Sequence, residues 1–130
     1  MPTDAHGLVR DLDAVYAAGD LTDFPVKQGG IATQQADAAA ESIAAAAGIQ
    51  IDPQPFSPVL RGLLLTGLTP RYLRTEPGSS RSAVDTEPLW WPPAKIVGRH
   101  LAPFLASQLH LSGGPPPANG ERVAVDVDLS

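Results

Sequence analysis

Proline and glycine divide this chain of 130 residues into short pieces and leave one long stretch uninterrupted. The 14 prolines and 12 glycines both break regular structure, so most elements are expected to be short. The exception is the alanine-rich stretch 31–47, which contains neither residue type and is followed by Gly48, where a helix cap is expected. This stretch predicts a helix with mainly small side chains on its buried face. We assign Ile31, Ala38, Ala39, Ser42, Ile43 and Ala46 to that face, and Gln34, Asp37 and Glu41 to the opposite one.

The composition excludes several classes of function. Because the chain has no cysteine, it forms no disulfide, no redox-active cysteine pair and no thiolate metal site. A net charge of −5 argues against sequence-independent binding to nucleic acid, which depends on lysine and arginine. No apolar run approaches the ~20 residues of a membrane span, and the N-terminus lacks the pattern of a signal peptide. We therefore expect a cytoplasmic protein without a membrane span and without nucleic acid as a partner.

A short apolar run precedes the predicted helix and has the length of a strand. Residues 14–18 are apolar throughout, and Gly19 and Asp20 end the run. Such a run is typical of a strand that is buried on both faces of a parallel α/β sheet. The remaining sequence offers no parallel neighbours for this strand. We therefore interpret the chain as a fragment of a larger fold, in which residues 21–30 form a loop between strand and helix.

The segment that follows the helix predicts a linker and a β-hairpin. Prolines at three positions of residues 49–58 favour an extended chain there. Residues 59–66 and 71–75 contain leucine and tyrosine, and the turn between them at 67–70 contains glycine and proline. This arrangement predicts two antiparallel strands.

The last part of the chain predicts a loop, a second helix and a tail. Residues 77–88 are interpreted as a polar loop. Residues 94–109 have apolar side chains at helical spacing, but Pro103 is expected to kink this helix or to split it. Residues 123–129 alternate between apolar and polar side chains, which predicts either an edge strand or a frayed end.

The residues that carry chemistry lie between the apolar run and the first helix. They are the sequence Val15-Tyr16-Ala17-Ala18-Gly19-Asp20 and the loop Pro25-Val26-Lys27-Gln28-Gly29-Gly30. Together with the alanine-rich helix, they resemble the second flavin-binding motif of the FAD-dependent pyridine nucleotide–disulfide oxidoreductases. The spacing and the Lys-Gln-Gly-Gly run are most similar to the branch that contains type II NADH dehydrogenases and sulfide:quinone reductases. Residues 58–62 and 89–96 also look like the C-terminal region of members of that branch.

The resemblance implies an α/β fold in two parts. The first is a partial, Rossmann-like FAD-binding unit of one strand plus helix, and the second is an α+β C-terminal segment with a β-hairpin and a Pro-kinked helix. The implied boundaries are residues 1–48 for the C-terminal piece of an FAD-binding domain, residues 49–112 for an interface segment, and residues 113–130 for a flexible tail.

The same resemblance implies a set of cofactor-binding residues: Gly19, Asp20, Lys27, Gln28, Gly29 and Gly30. Asp20 would accept hydrogen bonds from ribityl hydroxyls, and Gly19 would let the backbone approach without a Cβ in the way. The helix that begins near Gly29 and Gly30 would present unpaired N–H groups and a partial positive charge to the flavin. Lys27 would add a full positive charge at that place.

The implied function is that of the C-terminal part of an FAD-dependent NAD(P)H oxidoreductase. FAD would be the cofactor, NAD(P)H the co-substrate, and a quinone or similar compound the acceptor. The family's N-terminal GxGxxG motif and its second glycine-rich βαβ unit are absent from these 130 residues. We therefore expect this chain to hold no catalytic residue, to be inactive alone, and to act with the missing N-terminal FAD/NAD(P)H-binding portion. The alternative is a non-enzymatic dimerisation or docking module. Homodimerisation and peripheral membrane association stay open.

Three other sets of residues suggest sites less specifically. The histidines His6, His100 and His110 do not share a helical turn, so no metal site is predicted. Trp90 and Trp91 are interpreted as packing anchors, with an exposed quinone or membrane anchor as the alternative. Six basic residues are interpreted as a solvated or inter-subunit face, with an anionic-ligand site as the alternative: Arg61, Arg71, Arg74, Arg81, Lys95 and Arg99.

Overall fold

The computed structural model describes residues 1–76, 82–91, 98–110 and 123–125. These residues form α1 (Gly29–Ala46), β1 (Leu60–Leu64), β2 (Arg71–Thr75), β3 (Ser82–Asp85), α2 (Leu101–Gln108) and β4 (Val123–Val125). A 3₁₀ turn at Gly19–Leu21 precedes α1. The strands form one sheet in the order β1-β2-β3-β4, and all neighbouring strands are antiparallel. The described residues are therefore a small α/β protein with an antiparallel sheet and two helices.

Residues 14–18 do not form the predicted buried strand. They contribute only an isolated antiparallel bridge, between Leu8 and Tyr16. Ala14 has a left-handed backbone (φ 56°) that breaks the extended run, and the Val15 side chain is 40% exposed. Since the described strands pair only in antiparallel fashion, this run has no parallel neighbours among them that would cover both of its faces. The predicted strand is therefore wrong, and the partial Rossmann-like unit is not confirmed.

The first predicted helix is confirmed as α1, which begins at Gly29 and ends at Ala46. Gly48 has φ +90°, and its N–H donates to the Ala45 carbonyl at 2.9 Å. The next N–H, of Ile49, donates to the Ala44 carbonyl at 3.0 Å, which completes a Schellman cap. The helix therefore ends where the glycine allows the chain to turn away.

The predicted faces of α1 are only partly right. Ile31 and Ala38 are buried as predicted, but Ile43 is 48% exposed. Asp37 and Glu41, which were assigned to the exposed face, are each only 5% exposed. They are covered because residues 54 and 98–100 pack on that side of the helix. Contacts over such a distance in the chain leave no signal in the helix's own sequence.

The predicted hairpin is confirmed as β1 and β2, in register from Leu60↔Thr75 to Leu64↔Arg71. The predicted loop 77–88 is wrong in its centre, because Ser82–Asp85 is a strand that pairs with β2. Residues 77–81 lie outside the described residues. Trp90 is 7% exposed, and its ring packs edge to face on Tyr72 at a centroid distance of 5.3 Å. The interpretation of Trp90 as a packing anchor is thereby confirmed.

The second predicted helix is shorter than expected and is not kinked. Residues 98–100 are not helical, α2 begins at Leu101, and residues 92–97 lie outside the described residues. Pro103 falls in the first turn of α2, where its missing N–H has no helical acceptor to satisfy. The expectation of a Pro-kinked helix is therefore wrong. Within the predicted flexible tail, residues 123–125 form the edge strand β4, and the rest of 113–130 lies outside the described residues.

Candidate functional site

The backbone of Gly19 lies tightly against α1. Gly19 has a left-handed backbone (φ +74°), which glycine adopts without strain. A Cβ at this position would lie 3.2 Å from the Cβ of Ala32, closer than ordinary van der Waals contact. The Gly19 N–H also donates to the side chain of Gln35 at 2.7 Å. A residue with a side chain would therefore move the turn away from the helix.

A buried hydrogen-bond network holds this turn in place. The Gln35 amide accepts from Gly19 through Oε1 and donates from Nε2 to the Thr22 hydroxyl at 3.1 Å. The Thr22 hydroxyl in turn donates to the Gly19 carbonyl at 2.9 Å and accepts from the Phe24 N–H at 3.4 Å. Gln35 is 6% exposed and Thr22 4% exposed, so water does not replace these bonds readily. Neither residue is among the six site residues predicted from the sequence. Their signal is the position of Gln35, one turn after the buried Ile31.

Asp20 and Lys27 lie next to this turn and differ in their partners. The Asp20 side chain is exposed, and within the described residues its carboxylate has neither a hydrogen bond nor an ion pair. The Lys27 ammonium donates to the Thr22 carbonyl at 2.7 Å and to the Asp20 carbonyl at 3.3 Å. Lys27 therefore closes the loop over residues 20–27 through backbone oxygens. The Asp20 carboxylate is left available to an external donor.

The start of α1 is open. Gln28 is the N-cap residue with an extended backbone (φ −149°, ψ 138°), but its side chain makes no capping bond. Its Nε2 instead donates to the Arg61 carbonyl on β1 at 2.8 Å. The first helical bond runs from the Ala32 N–H to the Gln28 carbonyl at 2.9 Å. Among the described residues, the N–H groups of Gly29, Gly30 and Ile31 therefore have no acceptor and carry the positive end of the helix dipole.

The six predicted cofactor residues do not all point toward the same place. Five of them lie around the 3₁₀ turn and the start of α1, which contact each other: Gly19, Asp20, Lys27, Gly29 and Gly30. The side chain of Gln28 turns toward the sheet. Within the described residues, one carboxylate and three backbone N–H groups are left without partners, and of the residues that carry these N–H groups Gly29 is exposed whereas Gly30 and Ile31 are buried. The arrangement is suited to a ligand that carries hydroxyl groups together with an electron-rich edge.

A second polar cluster joins α1 to the start of α2. Asp37 accepts the backbone N–H groups of Arg99 and His100, the latter at 3.4 Å. Glu41 accepts from the Gln54 N–H at 2.7 Å and contacts His100 Nε2 at 2.7 Å and Arg99 Nε at 3.3 Å. Burial raises the pKa of Glu41, but the hydrogen bonds from Gln54 and His100 and the charge of Arg99 outweigh it, so the net pKa is lowered. This cluster fixes α2 to α1.

An open apolar groove of about 640 Å³ runs between the two helices. It begins at the residue before Gly19 and follows one side of α1 to α2. Its apolar lining comes from Ala18, Ala32, Ala36, Ala40, Leu101 and Phe104. Phe104 is 58% exposed, so the groove lies open to solvent in this chain. It places an uncovered apolar surface directly beside the Gly19 turn.

The described residues contain no group of three or more histidine, aspartate or glutamate side chains that could hold a metal ion. Neither described helix combines the length and the apolar character needed to cross a membrane. Comparisons of the chain with protein-family models, with curated proteins and with solved structures find no match.

Proposed function

We propose that this chain is the C-terminal part of an FAD-dependent NAD(P)H oxidoreductase and contributes contacts to the ribityl chain and the flavin edge. The observation that carries the proposal is the meeting of the Gly19–Asp20 turn with the open start of α1. The turn contacts α1, and among the described residues neither the Asp20 carboxylate nor the N–H groups of the first three residues of α1 have a partner. The left-handed backbone of Gly19 and its close approach to Ala32 fix this turn against α1. The unpartnered Asp20 carboxylate and N–H groups suit the hydroxyls and the electron-rich edge of such a group.

The chemistry of each residue follows from its surroundings. The Asp20 carboxylate accepts hydrogen bonds from ribityl hydroxyls, and the N–H groups of Gly29 and Gly30 donate to the flavin edge. Lys27 holds the loop closed and brings positive charge to the same place. Gln35 is a positioning residue, since it acts on the Gly19 backbone. When bound, FAD supplies the acceptor for the hydride of NAD(P)H.

The proposal divides the enzyme between this chain and a second portion. The FAD pyrophosphate and NAD(P)H need glycine-rich motifs that these 130 residues do not carry. We assign those motifs to an N-terminal FAD/NAD(P)H-binding portion. The open groove beside Gly19 supports this assignment, because an apolar surface of that kind is expected to be covered in the working protein.

The proposal is tested with two matched variants of the tagged chain, expressed in its natural source. Asp20→Asn removes the charge of the proposed ribityl contact, and Asp23→Asn removes the same charge from an exposed residue three positions later. Loss of a charge-assisted hydrogen bond lowers affinity about tenfold or more. We expect the wild type and Asp23→Asn to be recovered with bound FAD and with NAD(P)H-oxidising activity. We expect Asp20→Asn to be recovered with much less FAD. Equal FAD content in the two variants would contradict the assignment of Asp20.

The isolated chain provides a second test. Purified alone and mixed with FAD and NADH, it is expected to show no turnover, because it holds neither pyrophosphate site. Tight stoichiometric FAD binding with NADH turnover by the chain alone would contradict the division of the enzyme.

One observation favours a second candidate function, a non-enzymatic dimerisation or docking module. The hairpin exposes large apolar side chains, with Leu64 54% exposed, Leu65 77% and Leu68 97%. These residues are suited to contact with another protein surface. Analytical ultracentrifugation of the purified wild type and of Leu65→Lys distinguishes the candidates. A dimer that Leu65→Lys dissociates, in a chain recovered from its source without flavin, would favour the module.

A further inference from the structure

We propose that the recess between β1, the linker 49–58 and the start of α2 binds a small aromatic oxyanion through the guanidinium of Arg61. The recess has a volume of about 320 Å³, at the lower end of the range for ligand sites. It shares Asp37 with the groove beside Gly19, but its lining also includes Gln34, Phe56 and Trp91, which the groove lacks. The inference is independent of the proposed flavin contacts and goes beyond them.

Arg61 is a half-buried cation without a directly paired carboxylate among the described residues. Within the described residues its side chain has no ion pair, and its buried Nε has no hydrogen-bond acceptor. Its neighbour across the hairpin is another cation, Arg74, which already pairs with Glu76. Burial, followed by the charge of Arg74, lowers the pKa of Arg61, and the charge of Glu76 offsets these effects only in part. Burying a charge without compensation costs free energy. An anion in the recess would therefore offset both the burial of Arg61 and its repulsion by Arg74.

The other charged residues of the recess already have partners. Arg99 contacts Glu41 through Nε at 3.3 Å and donates to the Gln54 carbonyl at 3.3 Å. Asp37 accepts the backbone N–H groups of Arg99 and His100, so its charge faces the start of α2. Arg61 is therefore the group in the lining that is left to bind a ligand.

The other residues that line the recess indicate the chemistry of the rest of the ligand. Phe56, Val59 and Trp91 contribute apolar side chains to the same lining as Arg61. Aromatic side chains favour a flat apolar ligand, whereas the planar guanidinium binds carboxylates and phosphates through two donors. A carboxylate or a phosphate monoester on a small ring fits both halves.

The experiment titrates the full chain with phenyl phosphate, benzoate and the neutral analogue benzyl alcohol at constant ionic strength, by calorimetry. The test variant is Arg61→Gln, and the matched control is Arg71→Gln, which removes an exposed cation from the same hairpin. We expect one of the two anions to saturate a single site, and Arg61→Gln to weaken it about tenfold or more, as for loss of a charge-assisted hydrogen bond. Arg71→Gln should leave the affinity within about twofold.

A second variant keeps the test decisive if Arg61→Gln does not fold. Arg61→Lys keeps the charge and removes the two-donor geometry, so it should bind the anion more weakly than the wild type does. It should still unfold in a cooperative thermal transition, which shows that it is folded. The proposal is overturned if neither anion saturates, if Arg71→Gln loses as much affinity as Arg61→Gln, or if benzyl alcohol binds as well as benzoate. Saturation by phenyl phosphate alone or by benzoate alone supports it and identifies which oxyanion the recess takes.

Discussion

Replacing Gln35 with leucine tests the hydrogen-bond network that holds the Gly19 turn on α1. Leucine has a similar shape but no amide, so the Gly19 N–H and the Thr22 hydroxyl each lose their bond to this side chain. A buried group left without a partner costs about 1–3 kcal/mol. The Thr22 hydroxyl keeps its bonds to the Gly19 carbonyl and the Phe24 N–H, and Gly19 is only partly buried, so we expect the free energy of unfolding to fall by about 2–4 kcal/mol.

Urea denaturation followed by circular dichroism measures this change, with Gln50→Leu as the control. Gln50 is exposed and makes no side-chain hydrogen bond within the described residues, so its replacement should change stability by less than about 0.5 kcal/mol. A double-mutant cycle with Thr22→Val should show a coupling of about 0.5 kcal/mol or more, because both side chains belong to one network. The reasoning is refuted if Gln35→Leu unfolds at the same urea concentration as Gln50→Leu.

Four further substitutions test other parts of the fold. Gly19→Ala should destabilise the chain by about 1–2 kcal/mol because Gly19 has a left-handed backbone. Gly29 has open space around it, so Gly29→Ala should stabilise α1 by about 0.5–1 kcal/mol. Thermal denaturation compares the two variants. Trp90→Ala should cost about 3–5 kcal/mol, since it removes a buried ring from Tyr72, as urea denaturation will show. Glu41→Gln should lower stability most above pH 4.5, the ordinary pKa of this group, and the difference from wild type should shrink at lower pH.

The sign of the pH effect follows from the pKa of Glu41. A carboxyl whose pKa is lower in the folded than in the unfolded protein stabilises the fold above the unfolded pKa, and this stabilisation is lost as the pH falls through the folded pKa. Unfolding of both proteins by urea at pH values on either side of 4.5 measures it. A constant difference in unfolding free energy between Glu41→Gln and the wild type across that pH range would contradict this prediction. The prediction for Trp90→Ala is contradicted if this variant loses no more unfolding free energy than Phe104→Ala, which removes a 58% exposed ring.

Elements with local signals are those that the sequence predicts well. α1 follows from an unbroken run of helix formers that ends before Gly48, and the β-hairpin follows from two segments with leucine and tyrosine on either side of a turn with Gly67 and Pro70. The strand Ser82–Asp85 has no such signal, because four residues alternate too briefly and their conformation depends on pairing with β2. The burial of Glu41 depends on His100, 59 positions away, and no pattern within the helix reports it.

The candidate site shows the same division. The motif indicates Gly19 and Asp20, and the left-handed backbone of Gly19 gives a physical reason for a glycine there. The motif does not indicate that Gln28 turns to the Arg61 carbonyl, because that bond needs the hairpin to lie beside the helix. Gln35 was recognisable in part, since a polar residue one turn after the buried Ile31 shares its face. What the residue bonds to becomes visible only in three dimensions.

The most direct test of the proposed function is the amount of FAD bound per chain when the tagged protein is purified from its natural source. Absorbance and mass spectrometry of the recovered complex measure it. The account predicts one FAD per chain, held together with a second portion that carries the glycine-rich motifs, and a clear loss of FAD with Asp20→Asn. Recovery of the folded chain without any flavin would contradict the account.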